Sequence, residues 1–169
     1  NTSNSAGSPK LLEYNSKLYA IWHEYDGTAN QIRVAEWDGS SSWSLVDGNL
    51  ATGLNKDTSQ YATFPEATVF DSNLYITWEE HDGSARQIRI IEWDGTTWSF
   101  VDGDATTGIN KDTTKWARSP QIAEFNSKLY TTWYEHDGTA DQIRVAEWDG
   151  TSSWTFVDND PSGINKDAS

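Results

Sequence analysis

The 169 residues contain no cysteine, no methionine, only four prolines, and no apolar run long enough to span a bilayer. Without cysteine there is no disulfide, no thiolate metal site and no thiol nucleophile. Without a long apolar run, membrane insertion is not expected. Basic residues are scarce as well, with 12 Lys and Arg against 26 Asp and Glu and a net charge of −14. Nucleic acid and anionic membranes call for a positive field, so neither is expected as a partner, and the acidic excess reads as solubility. Helical periodicity is missing throughout. The chain starts at Asn1 with no apolar leader. That start reads as processed or trimmed, and the parent protein is expected to be secreted or displayed at the cell surface.

Aromatic rings are abundant, with ten Trp, seven Tyr and five Phe. A disordered acidic chain would be poor in them, so this one buries a core. Nine of the tryptophans occupy three repeated positions: Trp22, Trp78 and Trp133; Trp37, Trp93 and Trp148; Trp43, Trp98 and Trp154. Pro9, Pro65 and Pro120 mark the same place in each copy, and Gln-Ile-Arg recurs at Gln31, Gln87 and Gln142. The period is about 55 residues. Units run over 1–53, 54–108 and 109–163, with 164–169 opening a further one.

Each unit reads as four short strands, A to D. In the second they are Glu66–Phe70, Leu74 to about His81, Gln87–Trp93 and Trp98–Val101. Asp-Gly pairs close the turns, supplying the positive φ that tight hairpins need. Strand B is apolar on both faces, with Leu18, Ala20 and Trp22 on one side and Tyr19 and Ile21 on the other. A sheet stacked between two similar sheets needs no wet face. The fold expected is all-β, a β-propeller with three four-stranded antiparallel blades per chain. The pattern L-Y-x-x-W-x-E, D-G, Q-I-R-[VI], W-D-G, W-[ST]-[FL]-V-D resembles the repeats of bacterial multi-bladed propellers over nearly the whole chain. It lacks the Gly-His pair of the tryptophan–aspartate repeat, the double glycine of kelch, and the Asp-to-Gly spacing of the sialidase Asp-box, so the resemblance implies the fold alone.

Three blades do not close a ring. Ile164-Asn165-Lys166-Asp167 repeats Leu54-Asn55-Lys56-Asp57, so one chain's tail leads into another's first blade. A homodimer of six blades is the economical closure, and a homotrimer would give nine.

The B–C hairpin and the long D-to-A connection share one end of the blade, where ligand contacts are expected. Asn55, Asp57, Asn110 and Asp112 lie on that connection, and Arg33, Arg89 and Arg144 sit in strand C. The arginines are either forks for a ligand or structural partners of Glu24, Glu80 and Glu135. Ser5, Tyr61 and Trp116 differ at one aligned position, and Gly7, Thr63 and Arg118 at another. Tyr61, Trp116 and Arg118 are either platforms for a sugar ring or drift in a tolerant loop. His81 and His136 offer too few ligands for a metal, and no cofactor motif is present. Catalysis needs an asymmetric set of groups, and a threefold repeat offers mostly symmetric ones. The function expected is therefore non-catalytic: a lectin-like multivalent module with shallow glycan sites at blade junctions, or alternatively a ligand-free scaffold, a fragment or an engineered assembly. A glycosidase of sialidase type ranks third.

Overall fold

The computed structural model describes residues 4–48, 52–103, 107–158 and 163–166. Within them the chain is all-β, in three four-stranded antiparallel sheets. The first holds β1 (Ala6–Tyr14), β2 (Lys17–Tyr25), β3 (Asn30–Trp37) and β4 (Trp43–Leu45). The second holds β5 (Ala62–Phe70), β6 (Asn73–His81), β7 (Arg86–Trp93) and β8 (Trp98–Phe100). The third holds β9 (Ala117–Phe125), β10 (Lys128–His136), β11 (Asp141–Trp148) and β12 (Trp154–Phe156). Each sheet is a meander in chain order, and the first strands of successive sheets pack against one another, as in the blades of a propeller.

The A–B hairpins turn on Asn15-Ser16, Asp71-Ser72 and Asn126-Ser127, all at positive φ. Two consecutive left-handed residues give the turn twist that matches paired strands. Strand A starts earlier than its apolar run indicates. A bulge interrupts it at Ser8, Phe64 and Ser119, each at positive φ and each followed by proline. Proline lacks the N–H for the ladder, and the bulge absorbs that loss while pairing resumes beyond it.

The middle blade buries both its faces, and they divide the labour. Tyr14, Tyr19, Ile21, Ile32 and Val34 of the first blade pack forward onto Leu74, Ile76, Trp78 and Ile91 of the second. The second blade's Tyr75, Ile88 and Ile90 meet Leu129, Trp133, Ala146 and Trp148 of the third in the same way. Indole N–H groups stitch the edges: Trp98 Nε1 donates to the Val46 carbonyl at 2.7 Å, and Trp154 Nε1 to that of Val101 at 2.8 Å.

Residues 164–166 sit against β11, and the rest of the expected tail, Asp167 to Ser169, lies outside the described residues.

Trp78 is wholly buried between blades. Trp78→Ala should lower stability to urea by about 3–5 kcal/mol through the cavity left behind. A variant as stable as the parent would contradict the packing described. The B–C hairpin gives a pH prediction. The N–H groups of Ala140 and Thr139 donate to Asp137 and hold its carboxyl at about 2, below its ordinary 3.8. Stability from a depressed carboxyl is present above the unfolded value and lost as pH falls through the folded one. The stability gap between parent and Asp137→Ala should therefore be full above pH ~5 and close toward pH ~2. A gap independent of pH in urea titrations would count against it.

Candidate functional site

The strand-C arginines are structural partners of acids, and each pairs with a buried aspartate. Arg33 Nη1 lies 3.1 Å from Asp47 Oδ2, Arg89 Nη1 lies 3.0 Å from Asp102 Oδ2, and Arg144 Nη1 lies 3.6 Å from Asp158 Oδ2. The partner in each blade is the aspartate just after strand D, brought over strand C by the C–D hairpin. Burial pushes the Asp47 and Asp102 carboxyls upward, and the adjacent arginine pulls them back.

The glutamates of strand B have another task. Glu80 accepts the Trp78 indole N–H at 2.8 Å and the backbone N–H groups of Lys56 and Asp57 at 3.0 and 2.8 Å. Glu135 accepts those of Trp133, Lys111 and Asp112 at 2.9, 3.0 and 2.7 Å. A carboxylate on one blade thus grips the loop leaving the blade before it. That loop is fixed from behind: Asn55 Oδ1 accepts the Ile32 N–H, and its Nδ2 donates to the carbonyls of Asn30 and Gln60. Asn110 does the same with Ile88, Arg86 and Lys115. Asp57 and Asp112 cap their own loop through Ser59 and Thr114. Loop residues expected at a ligand face are thus occupied in shaping the loop.

Tyr61, Trp116 and Arg118 lie elsewhere in the architecture. The backbone carbonyls of Ser5, Tyr61 and Trp116 accept the N–H of Tyr25, His81 and His136 at 2.9–3.0 Å. Only main chain is used, so the frame leaves the side chain free to vary. Tyr61 is 52% and Trp116 55% exposed. Register extends this variable set. Gly7, Thr63 and Arg118 stand opposite His23, Glu79 and Tyr134, while Tyr25, His81 and His136 stand opposite Asn30, Arg86 and Asp141. Five equivalent positions on the forward face of each blade therefore carry three different chemistries: Ser5, Gly7, His23, Tyr25 and Asn30; Tyr61, Thr63, Glu79, His81 and Arg86; Trp116, Arg118, Tyr134, His136 and Asp141.

The bulge of the next blade faces the first two sets. At the first junction the ring of Phe64 meets that of His23 edge-on, with centroids 6.3 Å apart. Burial lowers the pKa of His23. At the second, Glu79 accepts the Ser119 N–H at 3.0 Å and the Thr63 hydroxyl at 3.2 Å, and forms an ion pair with Arg86. Glu66, on the same face, bonds Gln121 Nε2 at 3.0 Å and Lys10 at 2.6 Å. In the third blade the five residues line an open concavity of about 270 Å³. There the Arg118 guanidinium lies over the Trp116 ring, 4.8 Å from its centroid, and His136 Nδ1 is 3.2 Å from Asp141 Oδ1. Among the described residues no three His, Asp or Glu converge as a metal would need.

Glu66, Glu79 and Asp141 are acids in one blade only: their counterparts are Lys10 and Gln121, His23 and Tyr134, and Asn30 and Arg86. The expectation that a repeated chain lacks an asymmetric set of groups is thereby corrected. Two of the five variable positions stand out in the sequence as binding candidates, and a third shows as the unequal Tyr25, His81 and His136. The other two lie within strands B and C beside strongly repeated residues, and aligning the copies column by column exposes them.

No family model matches the chain, and no curated protein matches it. Solved structures do. A family 117 glycoside hydrolase from the marine bacterium Zobellia galactanivorans superposes with a TM-score of 0.63 at 13% identity, over 95% of this chain and 57% of that one. The family 93 α-L-arabinofuranosidase of Fusarium graminearum, solved with arabinobiose, gives 0.62 at 15% identity over 89% and 47%. An endo-arabinase from Bacteroides thetaiotaomicron gives 0.59 at 12% identity over 95% and 62%. The fold is a propeller arc. The chain spans about half the length of these structures, and at such identities the likeness is one of fold. It overturns the expectation of a non-catalytic lectin-like or ligand-free module, and with it the expectation that the chain is no enzyme: the arc is one that glycoside hydrolases use.

The arginine–aspartate pairs give a prediction that separates a structural role from a ligand role. Arg89→Ala leaves Asp102 buried without its cation and should cost about 3–5 kcal/mol. Arg89→Met combined with Asp102→Leu should recover most of that loss. A stable, fully folded Arg89→Ala protein in urea would return the arginine to the ligand reading.

Proposed function

We propose that the chain is an arc of a glycoside-processing propeller, with the sugar held at the unrepeated five-residue register on the forward edge of the blades. The observation that carries this reading is the third blade's set. An exposed indole under a guanidinium, with a tyrosine, a histidine and a carboxylate around one concavity, combines an apolar platform for a sugar ring with polar groups for its hydroxyls. The fold likeness to glycoside hydrolases supports it independently.

Glycoside hydrolysis generally uses two carboxyl groups, one as acid and one as base or nucleophile. Glu66, Glu79 and Asp141 are the pool from which such a pair would be drawn. Glu66 and Glu79 lie on one face of neighbouring strands, while Asp141 stands exposed in the concavity. Arabino-oligosaccharides are the first substrates to try, because one similar structure is an α-L-arabinofuranosidase solved with arabinobiose and another is an endo-arabinase.

The test is a panel of oligosaccharides, arabino-oligosaccharides first, followed by tryptophan fluorescence for binding and by release of reducing ends for turnover. Trp116→Ala should weaken binding by about tenfold or more, by loss of one ring-stacking contact. Glu79→Gln and Asp141→Asn, tested singly, should show which acid turnover needs, with a drop of at least about a hundredfold for an acid–base group. The absence of both binding and turnover across the panel would overturn the reading.

A further inference from the structure

The two outer flanks of the chain are the two halves of one junction. Along the forward face of the third blade, Phe125, Ile143, Val157 and Ile164 are exposed, and along the backward face of the first, Leu11, Leu18, Trp43 and Leu45. Their counterparts inside the chain are buried: Ile143 is 38% exposed where Ile32 and Ile88 are at 0%, and Leu18 is 37% exposed where Leu74 and Leu129 are at 0%. An apolar flank of this kind on both ends of one chain needs covering.

The polar groups on these flanks are complementary as well. Glu24 accepts the Trp22 indole N–H at 3.0 Å, as Glu80 and Glu135 do from their own tryptophans. Among the described residues, however, no loop reaches it. The matching loop is already shaped at the other end. Asn165 Oδ1 accepts the Ile143 N–H at 2.7 Å, its Nδ2 donates to the Asp141 carbonyl at 2.9 Å, and the Ile164 N–H donates to Ile143. Gly163 approaches so closely that a Cβ there would lie 2.5 Å from the Ile143 carbonyl, the same approach made by Gly53 and Gly108. At the two internal junctions this loop delivers the N–H of Lys56 or Lys111 to the glutamate of the following blade. Lys166 holds the equivalent place. A second pair matches too: among the described residues Trp43 lacks the carbonyl that Trp98 and Trp154 find, and Val157 stands where Val46 and Val101 supply it.

We propose that a second copy of this chain covers both flanks, head to tail, closing six blades about a twofold axis. The Ile164–Lys166 loop of each chain docks on Glu24 of the partner subunit, and the Trp43 indole donates to Val157 of the partner subunit. Both contacts repeat internal junctions, so the new interface continues established ones, and twofold closure leaves no flank uncovered. Closure completes the concavity of the third blade by setting the bulge of the partner subunit's Ser8 opposite Tyr134, as Phe64 faces His23 and Ser119 faces Glu79. The inference stands apart from the glycoside reading, because its evidence is blade packing alone.

The measurement is sedimentation equilibrium of the 169-residue chain across micromolar concentrations. A species of twice 19.0 kDa is expected. Glu24→Lys should weaken self-association by on the order of a hundredfold, the usual scale for spoiling a buried interfacial charge contact. Trp43→Ala, which changes no charge, should weaken it in the same direction. Should either variant fold poorly, the parent's melting temperature decides, since it must rise with protein concentration if folding is coupled to association. A parent at 19.0 kDa throughout with a concentration-independent melting temperature overturns the proposal. So does a dimer that both variants leave intact, or a threefold mass.

Discussion

A carboxylate buried between two apolar sheets must find donors for its lone pairs, and Glu80 and Glu135 find them in the same place. One donor is the indole two residues earlier in the strand, and two are backbone N–H groups of the loop leaving the preceding blade. Burial pushes the Glu80 carboxyl upward, and the N–H groups of Asp57, Trp78 and Lys56 oppose that rise. The rest of the junction follows from meeting this demand. The loop can present two N–H groups only if it is held rigid, which is the work of Asn55 and Asn110. It can lie flat on strand C only where Gly53 and Gly108 allow the backbone to touch Ile32 and Ile88. Lys56 then rests over the Phe100 ring of the next blade at 4.5 Å, so the same loop covers part of the apolar seam it crosses.

Much of this frame was legible in the sequence because its elements recur. Tryptophans at fixed positions, Asp-Gly turns and two-sided apolar strands specify blades without help from tertiary detail. The division of strand B into a Leu18–Ala20–Trp22 face and a Tyr19–Ile21 face is the one observed. The partner of Arg33 was not legible. Glu24 is near in the hairpin, whereas Asp47 arrives only because the C–D connection folds back over strand C. Nor was the true start of strand A, since Pro65 reads as a strand boundary. The positive φ at Phe64 turns that boundary into a bulge, so Ala62 and Thr63 pair as strand above it.

Symmetry and chemistry need not exclude each other here. Twofold and threefold repetition constrains residues whose side chains pack or bond within the junction. At the five forward positions the frame uses mainly backbone at the strand-A end, as the carbonyls of Tyr61 and Trp116 show. Side chains there can diverge at little cost to folding, and they have diverged in kind rather than merely in size. One position carries a histidine, a glutamate and a tyrosine; another an asparagine, an arginine and an aspartate. Within the second blade the charges are balanced locally, since Glu79 forms an ion pair with Arg86.

The consequence is a surface whose polarity changes from blade to blade while its geometry stays fixed. A rigid backbone register is what a site needs for orientation, and unlike groups at like positions are what it needs for different roles. The first two sets lie where the bulge of the following blade closes over them, so a residue at a junction is judged by two blades at once. His23 is covered by the Phe64 ring and is lowered in pKa by that burial, Glu79 is tied down by Ser119, and the third set stands open. The same tight junction that makes the blades stack therefore also sets what each unlike group meets: an aromatic ring for His23, a backbone N–H for Glu79.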